Sequence, residues 1–284
     1  MMLMKRLLIA GFGDIARRAA PALGNVFELR ILARKNGLDL DRPSSLEALE
    51  PVDAVLHCAP PPASGSADTR TANLLAALEG RRILPTRIVY ISTSGVYGDC
   101  GGALVDESRA VNPQTARAVR RADAEARLAL WCRAHDAALT VLRAPGIYAV
   151  DRLPLAGLRA GMPALRDADD VYTNHIHADD LAAICVRALA EGAPAGVYNA
   201  SDDTRLKMGE WLDLVAEHAG LPRPRRIARS EAGGRIAPDL LSFMAESRRL
   251  DNTRLKRKLG VRLRYPTVRE GLAHEHASGV DQPA

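Results

Sequence analysis

Apolar residues in the first half of the chain occur in short continuous runs, which alternate with longer stretches of helical pattern. A strand that is apolar at nearly every position is typical of a parallel sheet buried on both faces. We therefore predict an α/β fold with a Rossmann-type, doubly wound parallel sheet. The predicted strands are Lys5–Ala10, Phe27–Ala33, Val52–Ala59, Arg87–Ile91 and Leu139–Arg143, and the predicted helices are Asp14–Leu23, Asp68–Glu79 and Thr115–His135.

The second half of the chain adds a helix, Ala178–Ala190, and one more strand, Gly196–Ala200, before its pattern changes. After Ser201 come an amphipathic helix, Met208–Ala219, a Pro- and Arg-rich stretch, and a mixed helical pattern. This change indicates a second, smaller unit. We predict a Rossmann domain over residues 1–150, completed by about 176–200, a small C-terminal lobe over 151–175 and 201–275, and a tail over 276–284.

Composition narrows the class of protein. The 284 residues are 47% apolar and 26% charged, which is a globular composition and excludes disorder for most of the chain. The four cysteines form no CxxC pair, which indicates reduced thiols rather than a disulfide framework or a zinc ribbon. The apolar run Leu7–Ala10 is too short for a signal peptide, and no run of about 18 apolar residues is present. We predict a cytoplasmic protein without membrane spans.

The net charge of +5 is unevenly distributed. Between Ala219 and Arg269 there are 14 basic and 4 acidic residues, so the rest of the chain is net acidic. Only 4% of the residues are aromatic, which leaves few platforms for stacking bases. The sequence therefore argues against nucleic-acid binding and favours a small anionic substrate or a solvated basic face.

The turn after the first predicted strand reads Gly11-Phe12-Gly13-Asp14-Ile15-Ala16, a GxGxxA pattern followed by a helix. Glycines let the chain turn tightly and let its amides approach a pyrophosphate, while the small Ala16 permits close helix–strand packing. We assign Gly11, Gly13, Asp14 and Ile15 to a dinucleotide site at the start of that helix.

The end of the second strand indicates which dinucleotide binds. An NAD site places an acidic residue there to hold the ribose hydroxyls. This chain has Ala33-Arg34-Lys35 instead, and Arg34 can fork onto a 2′-phosphate to which Lys35 adds charge. The sequence favours NADP over NAD, the alternative being that Arg34 is an ordinary surface residue.

Several later segments carry a family resemblance. The stretch Tyr90–Asp99 resembles the SSxxVYG strand end of extended short-chain dehydrogenase/reductases, in their NAD-dependent epimerase/dehydratase group. Leu142–Tyr148 is similar to that family's LRPxxIYG, His177–Ala182 to its HVDDLA, and Asn252–Gly260 to its late N-x-(K/R)-…-LG segment. The matches occur in order and cover nearly the whole chain. A short link between the second and third strands makes it look like the atypical members, including the YeeZ-like group.

The resemblance implies roles for particular residues. Thr93 matches the Ser/Thr that holds the substrate oxygen, and Ala59 and Pro145 match positions of the cofactor site. Where the family has its proton-transferring Tyr and its Lys, this chain has Arg117 and Arg121. A guanidinium stays protonated, so Arg117 cannot replace the Tyr as an acid, although Arg121 can still donate to the cofactor ribose.

A substitute acid is needed if the chain is an enzyme. Tyr148 is our candidate, with Tyr97 as a second phenol, and the more common role of a tyrosine at either position is packing. The catalytic set predicted from the sequence is therefore Thr93, Tyr148 and Arg121. For Arg117, Arg121 and Glu125 the alternative interpretation is a solvated ladder along one helix face.

Other clusters of chemical groups are weaker. His175, His177, Asp179 and Asp180 match no common metal spacing and fit helix capping better, and His274, Glu275 and His276 fit a solvated tail, so we predict no metal site. The acidic pair Asp106-Glu107 fits a solvated turn better than a pair of general acids. Arg152 and Arg159 could clamp a phosphate or carboxylate, or could be surface residues.

These observations predict an NAD(P)-binding oxidoreductase or epimerase/dehydratase-like enzyme without the usual Tyr, acting on a small anionic or nucleotide-linked sugar substrate. The predicted C-terminal lobe would hold that substrate. The alternative is a non-catalytic NAD(P)-binding sensor or regulatory protein. A homodimer is compatible with the sequence.

Overall fold

The computed structural model describes residues 4–279, with side chains as far as His274. The strands are β1 (Lys5–Ala10), β2 (Phe27–Leu32), β3 (Ala54–His57), β4 (Arg87–Thr93), β5 (Leu104–Val105), β6 (Ala138–Ala144), β7 (Gly146–Tyr148), β8 (Ala164–Leu165), β9 (Tyr172–Thr173), β10 (His175–His177), β11 (Gly196–Asn199), β12 (Leu206–Lys207), β13 (Arg226–Ile227) and β14 (Arg249–Leu250). The helices are α1 (Asp14–Gly24), α2 (Thr69–Gly80), α3 (Ala116–Ala134), α4 (Leu155–Arg159), α5 (Ala178–Leu189), α6 (Met208–His218), α7 (Pro238–Phe243), α8 (Thr253–Arg257) and α9 (Val268–Gly279).

Six strands form one parallel sheet in the order β2-β1-β3-β4-β6-β11. The sheet grows in one direction from β1 to β2 and in the other from β1 through β3, so it is doubly wound, as predicted. The link from β2 to β3 contains only the 3-10 turns Arg34–Asn36 and Pro43–Ala48, and β2 is an edge strand. Ligands of such sheets bind beyond the carboxyl ends of the strands, where the order reverses. Here that point lies between β1 and β3.

Alternate residues of the buried strands supply two cores, one on each face of the sheet. Leu7 and Ile9 pack on one face together with residues of α1 and α5. Leu8 and Ala10 pack on the other face together with residues of α2 and α3. This double burial is the reason that the strand sequences are continuously apolar.

A third core belongs to the C-terminal lobe. Trp211, Leu212 and Val215 of α6 pack there with Leu165 of β8 and with α9. Tyr148, at the end of β7, belongs to the same core and joins the lobe to the sheet. None of the helices in the described part of the chain is long and apolar enough to cross a membrane.

The predicted elements from Lys5 to Ala219 are present with small changes of boundary, the largest being in β3. The sequence predicted a strand over Val52–Ala59, whereas only Ala54–His57 pairs with β1. The chain also forms α9 in a stretch for which the sequence predicted an irregular tail from His274. The reason is that Val268 and Leu272, one helical turn apart, are both buried in the lobe. Residues 280–284 of the predicted tail lie outside the described part of the chain.

Candidate functional site

The turn after β1 is shaped by its two glycines. Gly11 has a φ of +90°, and a Cβ added there would lie 2.6 Å from the backbone N of Ala59. Only glycine therefore lets this turn cross the loop after β3. At Gly13 an added Cβ would meet no atom within 4 Å, so this residue faces open space.

The N-terminus of α1 opens onto that space. Gly13 is the N-cap residue and no side chain caps the helix, so the first amides, including that of Ile15, have no side-chain acceptor. Free amides and the helix dipole together favour a bound anion. These residues fit the pyrophosphate of a dinucleotide. The Asp14 carboxylate itself is engaged, because it accepts from Arg18 Nε at 2.9 Å and from Arg152 Nη1 at 3.0 Å.

A small cavity of about 230 Å³ lies beside this turn. Gly11, Arg34 and Ala59 line it, as the predicted cofactor site requires. Arg70 and Asp41 also line it and form an ion pair, with Nη2 and Oδ2 2.7 Å apart. Lys35 follows Arg34 and places its Nζ 5.4 Å from the centre of the Phe12 ring. Arg34 therefore lines the cavity directly and Lys35 lies near it against Phe12, so an adenosine bound in this cavity would lie beside two cations.

A larger cavity of about 680 Å³ lies between the carboxyl ends of β4 and β6 and the lobe. It brings together residues that the sequence predicted separately, namely Thr93, Arg117, Arg121, Pro145 and Tyr148. The lobe contributes an apolar wall that includes Met208, Trp211, Leu240 and Phe243. The volume is that of a typical small-molecule site.

Arg121 is held at the wall of this cavity. Its Nη1 donates to the Ile91 carbonyl at 2.7 Å and to the Tyr90 hydroxyl at 3.1 Å. Both acceptors are uncharged, so the full positive charge remains available to a ligand. The fork leaves further N–H groups to reach a ribose hydroxyl.

Thr93 ends β4 at the cavity. Its Oγ1 accepts from the Gly95 amide at 3.2 Å, which leaves the hydroxyl proton free to donate to a substrate oxygen. Directly below, Ser92 donates to Glu125, and Arg143 binds the same carboxylate through Nη2 at 2.7 Å. This buried ion pair fixes α3 against β4 and β6.

The two phenols named from the sequence have their hydroxyls occupied. The Tyr148 ring lies in the cavity wall, but its hydroxyl donates to the Thr267 carbonyl at 3.4 Å. The Tyr97 hydroxyl donates to Asn199 Oδ1 at 2.8 Å, and Tyr97 does not line the cavity. Tyr97 therefore has a packing role away from the cavity, whereas Tyr148 lines the cavity and also contacts α9.

Sequence reasoning missed several residues of the cavity. Tyr172 adds a phenol, and Glu246 and Arg248 form an ion pair with Oε2 and Nη1 2.8 Å apart. His175 is buried with its Nδ1 unbonded, and burial lowers its pKa to about 3, so the imidazole is neutral. Glu246 and Arg248 follow Thr93 by more than 150 positions, and no local pattern links them.

Among the described residues of the other clusters named from the sequence, His175 and Arg152 line the cavity and the rest do not. His177 caps α5, its Nδ1 accepting from the Asp179 amide at 3.1 Å, and no metal-binding cluster occurs within residues whose side chains are described. The side chain of His276 lies outside them. Arg152 reaches the cavity, but Arg159 is exposed elsewhere on the lobe.

The family model for the NAD-dependent epimerase/dehydratase family matches residues 15–201. The chain belongs to this family. Epimerases, dehydratases and reductases that depend on NAD(P) make up the family, so the family and the fold that the resemblance implied are confirmed.

Two curated relatives are reductases. One is a "3-diazoavenalumate denitrifying reductase" from a Streptomyces species, 28% identical over 72% of this chain and 69% of the relative. The other is the GDP-6-deoxy-D-mannose reductase of Pseudomonas aeruginosa, 28% identical over 68% of this chain and 74% of the relative.

Two solved structures illustrate the fold. A conserved protein of unknown function from Silicibacter pomeroyi has a TM-score of 0.79 and 29% identity, covering 96% of this chain and 99% of that one. The structure of RMD from Pseudomonas aeruginosa, solved with NADPH, has a TM-score of 0.73 and 21% identity, covering 94% and 96%.

Proposed function

We propose that this protein is an NADP-preferring reductase of a small anionic carbonyl compound. The observation that carries the proposal is the cavity in which Thr93, Arg121 and Pro145 meet, and Arg152 of the same cavity pairs with Asp14 of the glycine turn. Two curated relatives named as reductases support the reaction class. The preference for NADP is supported by Arg34, which lines the small cavity beside Gly11, and by Lys35, which lies against Phe12 of that cavity.

The chain's own residues divide the work. A bound NAD(P)H supplies the hydride. Thr93 donates a hydrogen bond to the substrate oxygen, which stabilises the negative charge that grows there. Arg121, fixed by Tyr90 and Ile91, donates to the cofactor ribose. The start of α1 would hold the pyrophosphate, and Pro145 would form part of the wall of the cofactor site.

The source of the proton sets this protein apart from relatives with the Tyr. Arg117 occupies the position of the usual Tyr and stays charged, so it cannot supply the proton. Tyr148 is our candidate acid. To serve as the acid, its hydroxyl would have to stop donating to the Thr267 carbonyl and donate to the substrate oxygen instead. Tyr172 lines the same cavity and is the competing phenol.

The test is NAD(P)H oxidation with a panel of aromatic and aliphatic oxo acids, aldehydes and nucleotide sugars. We expect slow turnover in the wild type, because the Tyr148 hydroxyl is bound to the Thr267 carbonyl and a positioned acid normally contributes about 10²–10⁴-fold. Thr93→Val should lower the turnover further, and Tyr148→Phe should do so if Tyr148 is the acid. If turnover is lost in Tyr172→Phe instead, Tyr172 is the acid. Brisk wild-type turnover that survives Thr93→Val would contradict the mechanism.

A non-catalytic NAD(P) sensor is the second candidate, and it is favoured by one observation, the Arg at position 117. Tight NADPH binding without turnover of any compound would select it. A cytoplasmic location is supported by four unpaired cysteines, and a homodimer stays a prediction.

A further inference from the structure

Four arginines line the large cavity, and three of them have partners. Arg121 donates to Tyr90 and Ile91, Arg152 pairs with Asp14, and Arg248 pairs with Glu246. Arg152 and Arg248 are neutralised by carboxylates, and Arg121, whose acceptors are uncharged, is the residue proposed to bind the cofactor ribose.

Arg117 is the exception. Among the described residues no group accepts a hydrogen bond from it and no carboxylate lies within ion-pair distance. Asp239 and Glu246 attract it only at longer range. A cation in a ligand cavity without an anionic partner is available to bind an anionic ligand.

The surroundings of Arg117 indicate the shape of that ligand. Its guanidinium carbon lies 3.9 Å from the centre of the Phe243 ring. Stacking over an aromatic ring holds the guanidinium flat while its edge N–H groups stay free for a bidentate contact. Phe243 is 47% exposed and lies with Leu240 and Trp211 in the apolar wall of the cavity.

We propose that Arg117 is the anion receptor of the active site, and that the substrate carries a carboxylate on a flat, apolar, aromatic body. The carboxylate is bound by the Arg117 fork, and the flat body lies along Phe243 and Trp211. The inference rests on the proposed function and names its substrate class. Arg117, at the position of the usual proton-donating Tyr, thus determines substrate specificity. Arg152 and Arg159, which the sequence suggested as a clamp for a phosphate or carboxylate, do not bind the anionic group.

Calorimetric titration of the NADPH-saturated protein tests this with two probes that share one body, an acid and its ester, and with two further anions. The probes are trans-cinnamate, its neutral methyl ester, phenyl phosphate and UDP. We expect wild-type protein to bind cinnamate at least about tenfold more tightly than the ester, because a charge-assisted hydrogen bond distinguishes them. Arg117→Gln should abolish this discrimination, and Arg117→Lys, which keeps the charge but loses the fork, should retain part of it.

Two further variants separate charge from shape. Phe243→Leu should weaken both acid and ester, because it removes stacking from both, and should weaken the acid more, because the Arg117 guanidinium also loses its aromatic support. Arg133→Gln, on the same helix and far from the cavity, is the matched control and should bind all probes as the wild type does. Thermal unfolding of each variant shows that it is folded.

The outcomes are distinct from those of the proposed function. Equal binding of cinnamate and ester by the wild type, unchanged discrimination in Arg117→Gln, or binding of UDP alone each overturns the inference. Phenyl phosphate bound with the same dependence on Arg117 supports the receptor. NADPH binding by the wild type is measured separately, and its absence overturns the proposed function instead.

Discussion

At the scale of single residues, Gly11 and Gly13 serve different purposes in one turn. Gly11→Ala places a Cβ against the Ala59 backbone at a positive φ, so we expect a loss of about 1–3 kcal/mol of unfolding free energy or more. At Gly13 an added Cβ meets no atom within 4 Å, so Gly13→Val should fold normally but bind NADPH at least about tenfold less tightly, because the side chain would occupy the space assigned to the pyrophosphate.

Urea unfolding and fluorescence titration of NADPH measure the two effects separately. Normal NADPH binding by Gly13→Val would show that the dinucleotide lies elsewhere. Normal stability of Gly11→Ala would show that the turn does not cross the loop after β3 as described.

Arg34 makes a second prediction at this scale. It lines the small cavity beside Gly11, where the 2′-phosphate of a bound NADP would give it a charged hydrogen bond worth about 1.5–3 kcal/mol. NADPH should therefore bind at least about tenfold more tightly than NADH, and Arg34→Ala should remove most of this difference in affinity. Titration of both dinucleotides, with Arg133→Ala as the exposed control, decides this. Equal wild-type affinities would refute the NADP preference.

At the scale of elements, the Arg143–Glu125 ion pair joins α3 to β6, and the Ser92 hydroxyl joins the pair to β4. The two side chains are 7% and 11% exposed, and the Arg143 guanidinium also lies 4.7 Å from the centre of the Tyr97 ring. Removing one member leaves a buried charge without a partner. Glu125→Ala should therefore lower the unfolding free energy by about 3–5 kcal/mol.

Urea unfolding of Glu125→Ala measures this loss. The double variant Glu125→Met with Arg143→Met should recover much of it, because it removes both charges and keeps the volume. A loss below about 1 kcal/mol in Glu125→Ala would mean that water or another group compensates Arg143.

At the scale of the whole molecule, Asp202 lies where the sheet domain meets the lobe, its amide donating to the His175 carbonyl at 2.8 Å. Its Oδ2 is buried without a partner, and burial raises the pKa of Asp202 to about 8, from the ordinary 3.8. The folded state then holds a proton that the unfolded state has released. Asp202 therefore makes the unfolding free energy fall as the pH rises from about 4 to about 8.

Two buried histidines act in the opposite direction at lower pH. Burial lowers the pKa of His57 to about 4 and of His175 to about 3, from 6.5, so their contribution rises with pH only up to about 6.5. Between pH 6.5 and 8 we expect Asp202 to lower the wild-type unfolding free energy by up to about 1.4 kcal/mol per pH unit. Asp202→Asn should lose this slope in urea unfolding, and Asp203→Asn should keep it. Parallel wild-type and Asp202→Asn curves would contradict the assignment.

The sequence by itself determined the parallel sheet, the glycine turn and the family. These features depend on local rules, namely continuous apolar strands, helical spacing and the backbone freedom of Gly11. The helix α9 was missed because its apolar residues, Val268 and Leu272, are too few to form a clear stripe. Its stability comes from burial in the lobe rather than from its own sequence.

Only the tertiary structure decided which groups share the cavity. Arg117 and Phe243 are more than 120 positions apart, and the position of neither residue in the sequence specifies their stacking. The orientation of the Tyr148 hydroxyl is likewise set by its hydrogen bond to the carbonyl of Thr267, which lies 119 positions later in the sequence. A side chain's direction and its partner depend on packing between distant elements, whereas the elements themselves depend on neighbouring residues. For this reason the glycine turn could be predicted residue by residue, but the wall of the large cavity could not.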